Sequence, residues 1–376
     1  MENNMKKKVL FVATVDQHIR HFHYPYLEWF QSQGFEVHVA SNGDDDLKYV
    51  DVKHNISFER SPFKRNNIKA YRLLKMLISS NDYQIIHCHT PVGGVIGRLA
   101  AISSRRNGTK VLYTAHGFHF YKGAPLVNWL IYYPIEKMLS RYTDVLITMN
   151  KEDYDSAKKF KAEKVELVNG VGINVTKFYS QTNAVKYKLR REMNYSEEKF
   201  ILIYVAELSK RKNQQLAINL VNNIKDKIPN LVLLLVGSGS SYNELEKKVN
   251  ELKLEDNVQF LGYRTDVHNL LLISDFAIST SKQEGLPVNV LEAMATGLPL
   301  VVTNARGNRD LVEHNSSGLV FEINDIEEGT RCIQRMYQNT QLRKRCSDTG
   351  LEIIDQFSIN SVLSRMSKIY CDCDIM

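Results

Sequence analysis

The feature that most constrains this chain is an alternation. Short β-branched apolar runs are separated by stretches of helical periodicity, and the series occurs twice in 376 residues. In the first half the runs cover residues 8–14, 36–41, 85–89, 110–115, 144–149 and 164–168. In the second half they cover 200–207, 231–236, 258–263, 276–280, 300–303 and 318–321. Runs this short and continuously apolar suit strands buried on both faces. Helical stretches intervene at 23–33, 69–79, 126–140, 213–225 and 242–252. Strands alternating with helices predict parallel α/β sheets, and two series predict two Rossmann-like domains. The polar stretch 179–198 reads as the linker. A ligand is expected in a cleft between the halves, because loops that follow parallel strands face it.

Charge narrows the partner only slightly. There are 49 Lys+Arg against 42 Asp+Glu, a net +7. That excess suits anionic ligands, a membrane surface or nucleic acid without choosing among them, or is only a solubility setting. Five cysteines (Cys88, Cys332, Cys346, Cys371, Cys373) are odd in number and lack a C-x-x-C pair. They fit neither a disulfide framework nor a zinc site. The first apolar run ends at Asp16, too soon for a signal peptide, and no window reaches ~18 apolar residues. The reading is a reduced, cytoplasmic protein, placed peripherally at the inner face of the cell membrane.

The most informative stretch is Glu284-Gly-Leu-Pro-Val-Asn-Val-Leu-Glu292-Ala-Met-Ala-Thr-Gly297-Leu-Pro299. Gly297 followed by Pro299 is a helix stop, which predicts a helix over 288–296. Glu284 then lies in the loop before that helix and Glu292 one turn inside it. Backbone N–H groups around Leu286, Pro287, Val288 and Asn289 are free at the helix start, where a phosphate fits. Glu292 is placed to accept hydrogen bonds from ribose hydroxyls, and Glu284 to face a sugar. The plainer alternative makes Glu284 only a charge favoured by the helix dipole.

This motif resembles the signature of the GT4 family of retaining glycosyltransferases, which have the GT-B fold. Further segments resemble that family in order: Thr114-Ala-His116-Gly117, Asn169-Gly-Val-Gly-Ile-Asn174 with Phe178, Leu234-Leu-Val-Gly237-Ser-Gly239, Phe260-Leu-Gly262-Tyr263-Arg264, and Thr303-Asn304-Ala-Arg-Gly307. Within the family the chain looks most similar to bacterial exopolysaccharide and capsule transferases. The resemblance implies residues 1–180 as an acceptor-binding domain and 181–355 as a nucleotide-sugar-binding domain. A C-terminal helix over 356–376 is expected to pack back on the first domain. The implied reaction is retaining transfer from a nucleotide sugar, UDP-linked by expectation, to a polyprenyl-diphosphate-linked or other saccharide acceptor. No cofactor or metal is implied, because Lys and a helix dipole take the place of a cation on the diphosphate.

The resemblance also assigns residues. Lys212 is the expected diphosphate ligand. The family Arg position is Glu207 here, and a carboxylate cannot hold a diphosphate, so Lys210 or Arg211 is expected to supply the second charge. Gly237 and Gly239 are expected to let backbone approach the nucleotide, with Tyr263 and Arg264 near the base. As a dinucleotide fingerprint the G-x-G fails, because the third glycine position is Tyr242. His116, after a strand end, is expected to contact a sugar or acceptor hydroxyl. His87-Cys-His89 and His21-Phe-His23 have pair spacing, but no third ligand is evident in the sequence, so no metal site is expected.

Arg65, Lys69 and Arg72 share one helical face, with Lys64 and Lys75 close by. Such a face suits an anionic membrane surface, or is simply solvated. The aromatic stretches around Trp129 and Trp29 suit either a lipid or the core. Nucleic acid is the least supported partner. A UDP-sugar 2-epimerase and a non-catalytic sugar-nucleotide module remain as alternatives. The epimerase is disfavoured by the absence of a convincing set of acids for it, and the module leaves the paired Glu and Lys212 without purpose.

Overall fold

The structure is a computed structural model in which residues 6–62, 64–180 and 182–373 are described. It divides into two units. The first takes the chain up to Gly172 and again from Ile359 onward; the second is Ile173–Ser358.

The first unit has strands β1 (Lys8–Val15), β2 (Glu36–Asn42), β3 (Val52–Asn55), β4 (Tyr83–His89), β5 (Lys110–Ala115), β6 (Val145–Thr148) and β7 (Lys164–Leu167). They form one parallel sheet in the order β3-β2-β1-β4-β5-β6-β7. β3 has no counterpart among the sequence runs. It is an edge strand, only partly buried, so it never needed an apolar run. The second unit has β8 (Phe200–Val205), β9 (Leu231–Val236), β10 (Val258–Gly262), β11 (Phe276–Ser279), β12 (Leu300–Thr303) and β13 (Gly318–Phe321). Their order is β10-β9-β8-β11-β12-β13, again parallel. The strand order reverses beside β1 in the first sheet and beside β8 in the second. Ligands of such sheets bind outside the strand C-termini at these points.

The stretch read as a linker is not one. Ile173 and Phe178 are buried in the second unit's core, which moves the boundary upstream of 180. Residues 183–192 form a helix whose Arg190 is fully buried. Its guanidinium donates to Asp275 Oδ2 at 2.8 Å and to three backbone carbonyls. Polar composition here signals a buried charge network, which a sequence window cannot tell from a solvated linker.

The helix Ile359–Cys371 belongs to the first unit. Tyr370 stacks on Trp29 with ring centroids 5.6 Å apart, and its hydroxyl lies 2.9 Å from His87 Nδ1. Trp29 and its neighbour Phe30 are therefore packing residues beneath that helix. Among the described residues no helix is long and apolar enough to cross a membrane.

Candidate active site

The second unit gathers its charged residues where β8 and β11 end. The turn after β8 leads through Lys210-Arg211-Lys212 to Asn213, which adopts a left-handed conformation (φ 56°) before the helix Gln214–Ile224. That turn is fastened to the segment after β11. Lys282 N–H donates to Arg211 O at 2.9 Å, and Thr280 Oγ1 donates to Asn213 O at 2.9 Å. The buried Tyr204 hydroxyl donates to Lys212 O at 2.6 Å. Two segments about 70 residues apart are thus held edge to edge.

The result is a buried ion pair. Lys212 Nζ lies 2.5 Å from Glu284 Oε1, with the two residues 9% and 6% exposed. Arg211, more exposed, reaches Glu284 Oε2 at 3.2 Å and Gln283 O at 3.1 Å. Burial pulls the Lys212 ammonium below its ordinary pKa, and the adjoining Glu284 carboxylate acts in the opposite sense. Arg306, 2% exposed, donates from Nε to Glu284 O at 2.9 Å and fixes the loop backbone. Gly307 (φ 83°) lets the Arg306 segment in, since a Cβ there would meet Gly285 O at 2.5 Å. In the sequence Arg306 stands unremarked within the segment Thr303–Gly307. Its signal was a lone Arg in the loop after an apolar strand.

The helix forms over Val288–Ala295, with Pro287 in an extended conformation before it and no side chain capping it. The N–H groups of Val288 and Asn289 point out of its first turn beside Leu286 and Pro287, leaving the anion-accepting end open. Glu292 lies on this helix, half-buried, and burial raises its carboxyl to about 7 despite the opposing charge of Lys177. One motif therefore presents two different carboxylates: Glu284 paired with cations, and Glu292 without an ion-pair partner among the described residues.

Gly237 and Gly239 are required by the protein's own packing. A Cβ at Gly237 would sit 2.1 Å from Ala206 O, and one at Gly239 2.2 Å from Leu208 O. They let the loops after β8 and β9 touch backbone to backbone. Arg264 is engaged in a two-point pair with Asp266 (2.7 and 2.6 Å) and lines a separate pocket with Leu189 and Tyr195. Tyr263 beside it is exposed. Glu207 is exposed, and its carbonyl accepts from Gln214 Nε2. The second charge beside Lys212 is that of Arg211; Lys210 is exposed.

In the first unit His116 is not a lone imidazole. Its Nε2 lies 3.2 Å from His18 Nε2 and 3.4 Å from His89 Nδ1. His23 completes a group of four whose candidate ligand nitrogens all fall within 4.8 Å of one another. The third ligand that was not evident in the sequence is supplied by residues far apart along the chain. His18 lies in the helix Asp16–Phe22 after β1 and His23 just past its end, His89 ends β4, and His116 follows β5. Burial pushes all four below the ordinary histidine pKa. Elsewhere in this unit Arg65, Lys69 and Arg72 are exposed on and before the helix Asn66–Ser79. The exposed apolar residues among them are Ile68, Leu73 and Met76, whereas Leu74 faces the core. Trp129 is half-exposed against Phe120 and Tyr133, in a helix that also exposes Leu126, Val127 and Leu130.

A family model described as Glycosyl transferases group 1 matches residues 185–352, which contain the Lys212–Glu284 pair and Glu292. A second, described as Glycosyl transferase 4-like, matches residues 8–150. EpsD of Bacillus subtilis (strain 168), provisionally named a glycosyltransferase, is 43% identical over 368 residues, covering 97% of each chain. This chain belongs to the group 1 glycosyltransferases. Its relatives include an Escherichia coli enzyme named UDP-Gal:alpha-D-GlcNAc-diphosphoundecaprenol alpha-1,3-galactosyltransferase. It is 29% identical over 314 residues, covering 81% of this chain and 78% of the relative. The fold of this group 1 chain matches that of HepE from Anabaena, solved with UDP and glucose. The TM-score is 0.80 at 20% identity, over 97% of this chain and 100% of the other. The two parallel-sheet units are those of a GT-B glycosyltransferase.

Proposed function

We propose that this glycosyltransferase takes its sugar from a UDP-linked donor and moves it, with retention, to a polyprenyl-diphosphate-linked saccharide in surface polysaccharide synthesis. The observation that carries the reading is the buried Lys212–Glu284 pair, fastened beside the open N-terminus of the Val288–Ala295 helix. A diphosphate at that helix end accepts from the Val288 and Asn289 N–H groups and draws on the charges of Lys212 and Arg211. Negative charge develops there as the donor breaks, and preorganised positive charge at that place stabilises the transition state. Glu292 accepts from ribose hydroxyls. Glu284 holds Lys212 charged and orients sugar hydroxyls.

In the transfer step the bond from the sugar's anomeric carbon to the phosphate oxygen breaks. The acceptor oxygen bonds to that carbon from the same side. The acceptor's proton passes to the departing phosphate oxygen, and UDP leaves. No protein base is needed. His116 contacts a sugar or acceptor hydroxyl through Nδ1, the ring nitrogen other than the one facing His18 and His89.

The lipid-linked acceptor is supported by the name of the Escherichia coli relative, whose acceptor is a diphosphoundecaprenol. It is also supported by the exposed face of Arg65, Lys69 and Arg72 with Ile68, Leu73 and Met76, which suits an anionic membrane surface. Trp129, with the exposed Leu126 and Leu130, extends the apolar surface of the same unit. The protein would then work at the inner face of the cell membrane.

The test is incubation with a panel of UDP-sugars, with and without polyprenyl-diphosphate-linked acceptors, following UDP release and glycosylated lipid. The expected result is acceptor-dependent UDP release with one donor and transfer with net retention. No transfer or hydrolysis across the panel, with nucleotide binding untouched by Lys212→Ala and Glu284→Ala, would overturn the site.

A further inference from the structure

The histidine group of the first unit is unlike the other buried histidines around it. His87, on β4 between two sheet neighbours, has both ring nitrogens used: Nδ1 with the Tyr370 hydroxyl at 2.9 Å and Nε2 with Thr114 Oγ1 at 2.8 Å. His38 meets Tyr83 and Glu36. Those are histidines satisfied by the fold. His23 is 1% exposed, and neither of its ring nitrogens has a hydrogen-bond partner. His89 is 1% exposed, and its Nε2 has none either. Buried polar atoms without partners are rare in folded proteins, and each calls for an occupant. Around these two, His18 and His116 turn their Nε2 atoms inward, so imidazole faces imidazole rather than a carboxylate or a carbonyl.

We propose that His18, His23, His89 and His116 form a structural site for one zinc-like transition-metal ion at the C-terminal edge of the first sheet. The spacing fits. Tetrahedral coordination at ~2.0–2.1 Å per nitrogen places neighbouring ligand atoms ~3.3–3.4 Å apart. The His18–His116 contact at 3.2 Å is already close to that edge length, and the ligand nitrogens of all four lie within 4.8 Å of one another. Imidazole donors without carboxylate select zinc, cobalt, nickel or copper over magnesium or calcium. Four protein ligands close the coordination sphere, which is the arrangement of a structural ion. The ion ties the ends of β4 and β5 to the helical segment after β1. It also fixes the ring of His116, whose Nδ1 is the atom that the proposed transfer uses. His18 and His116 are half-exposed and provide the way in.

The inference goes beyond the nucleotide site, and it fails or holds separately from it. The full chain is stripped with a chelator and titrated with Co(II), following the visible bands of tetrahedral cobalt. Saturation at one ion per chain is expected, reversed by Zn(II). His18→Ala and His23→Ala should each weaken binding by ~10–100-fold or more. His18→Cys should keep the ion and add a thiolate-to-cobalt charge-transfer band. His54→Ala, outside the group, should change nothing. UDP binding in the same samples reports the second unit and the integrity of the chain. No saturable binding, bands without tetrahedral intensity, or binding indifferent to His18→Ala and His23→Ala would overturn the site.

Discussion

Two clusters stand at the C-terminal edges of two parallel sheets, and they bury titratable groups in opposite ways. In the second unit a lysine and a glutamate go inside together at 2.5 Å. In the first, four histidines gather, two buried and two half-exposed, with no acid in their group. Burial, joined by repulsion from neighbouring imidazoles, pushes every one of those histidines towards its neutral form, whereas at Lys212 the neighbouring carboxylate offsets burial. A buried charge needs its counter-charge, so Lys212 and Glu284 act as a unit. A neutral imidazole is a waiting donor for a metal.

The strongest way to break the contrast is to break the pair. Lys212→Ala and Glu284→Ala should each lower the sugar-transfer rate by ~10²–10³-fold, measured as acceptor-dependent UDP release. The double variant should lose little more than the worse single one, because the residues act together. Additive losses would show two independent roles. Next in size is the backbone packing behind the pair. Gly239→Ala, with Leu208 O only 2.2 Å from its Cβ, should cost the second unit ~1–3 kcal/mol in urea unfolding.

Glu292, half-buried, sharpens the comparison, because burial favours its neutral form as it does for the histidines, yet it lies in the same motif as Glu284. Its carboxyl is raised from 4.5 to about 7, so the ligand-free fold prefers it protonated. That stabilisation is fully present below pH 4.5 and is lost as pH rises through about 7. Ribose hydroxyls prefer the ionised form. UDP affinity should therefore rise ~10-fold from pH 6 to 8, as expected for hydrogen bonds to a charged acceptor. Calorimetry checks this, and Glu292→Gln should flatten both trends. The smallest effect concerns charges that are not buried at all. Lys69→Glu and Arg72→Glu should each weaken sedimentation with anionic vesicles by roughly fivefold or more, since each basic residue near such a surface contributes ~1 kcal/mol. Neutral vesicles should show no difference.

Much of the site was legible because the motif from Glu284 to Pro299 is contiguous. A loop carboxylate, an uncapped helix start and a second carboxylate one turn later follow from local rules. Lys212 was reached through the resemblance, but its partner was not. Only the bonds between the turn at 209–213 and the segment at 280–284 bring Nζ to Glu284. The glycines at 237 and 239 were visible as necessary, while one reason was hidden: each lies against the backbone of the loop after β8, where no Cβ fits. The polar stretch before β8 was misread as a linker because composition does not reveal that Arg190 is buried with Asp275. Of the spaced pairs His87/His89 and His21/His23, one member each joins the group, and His18 and His116 complete it. Their gathering depends on β1, β4 and β5 being neighbours in the sheet.

The sequence by itself determined the alternation of strands and helices, hence the two parallel sheets, because apolar periodicity and helix stops act within a few residues. It also determined the local form of the carboxylate helix. The tertiary structure decided which charges meet, which aromatic residues pack beneath the C-terminal helix, and which histidines face one another. Those outcomes depend on burial and sheet order, which join segments that the chain keeps far apart.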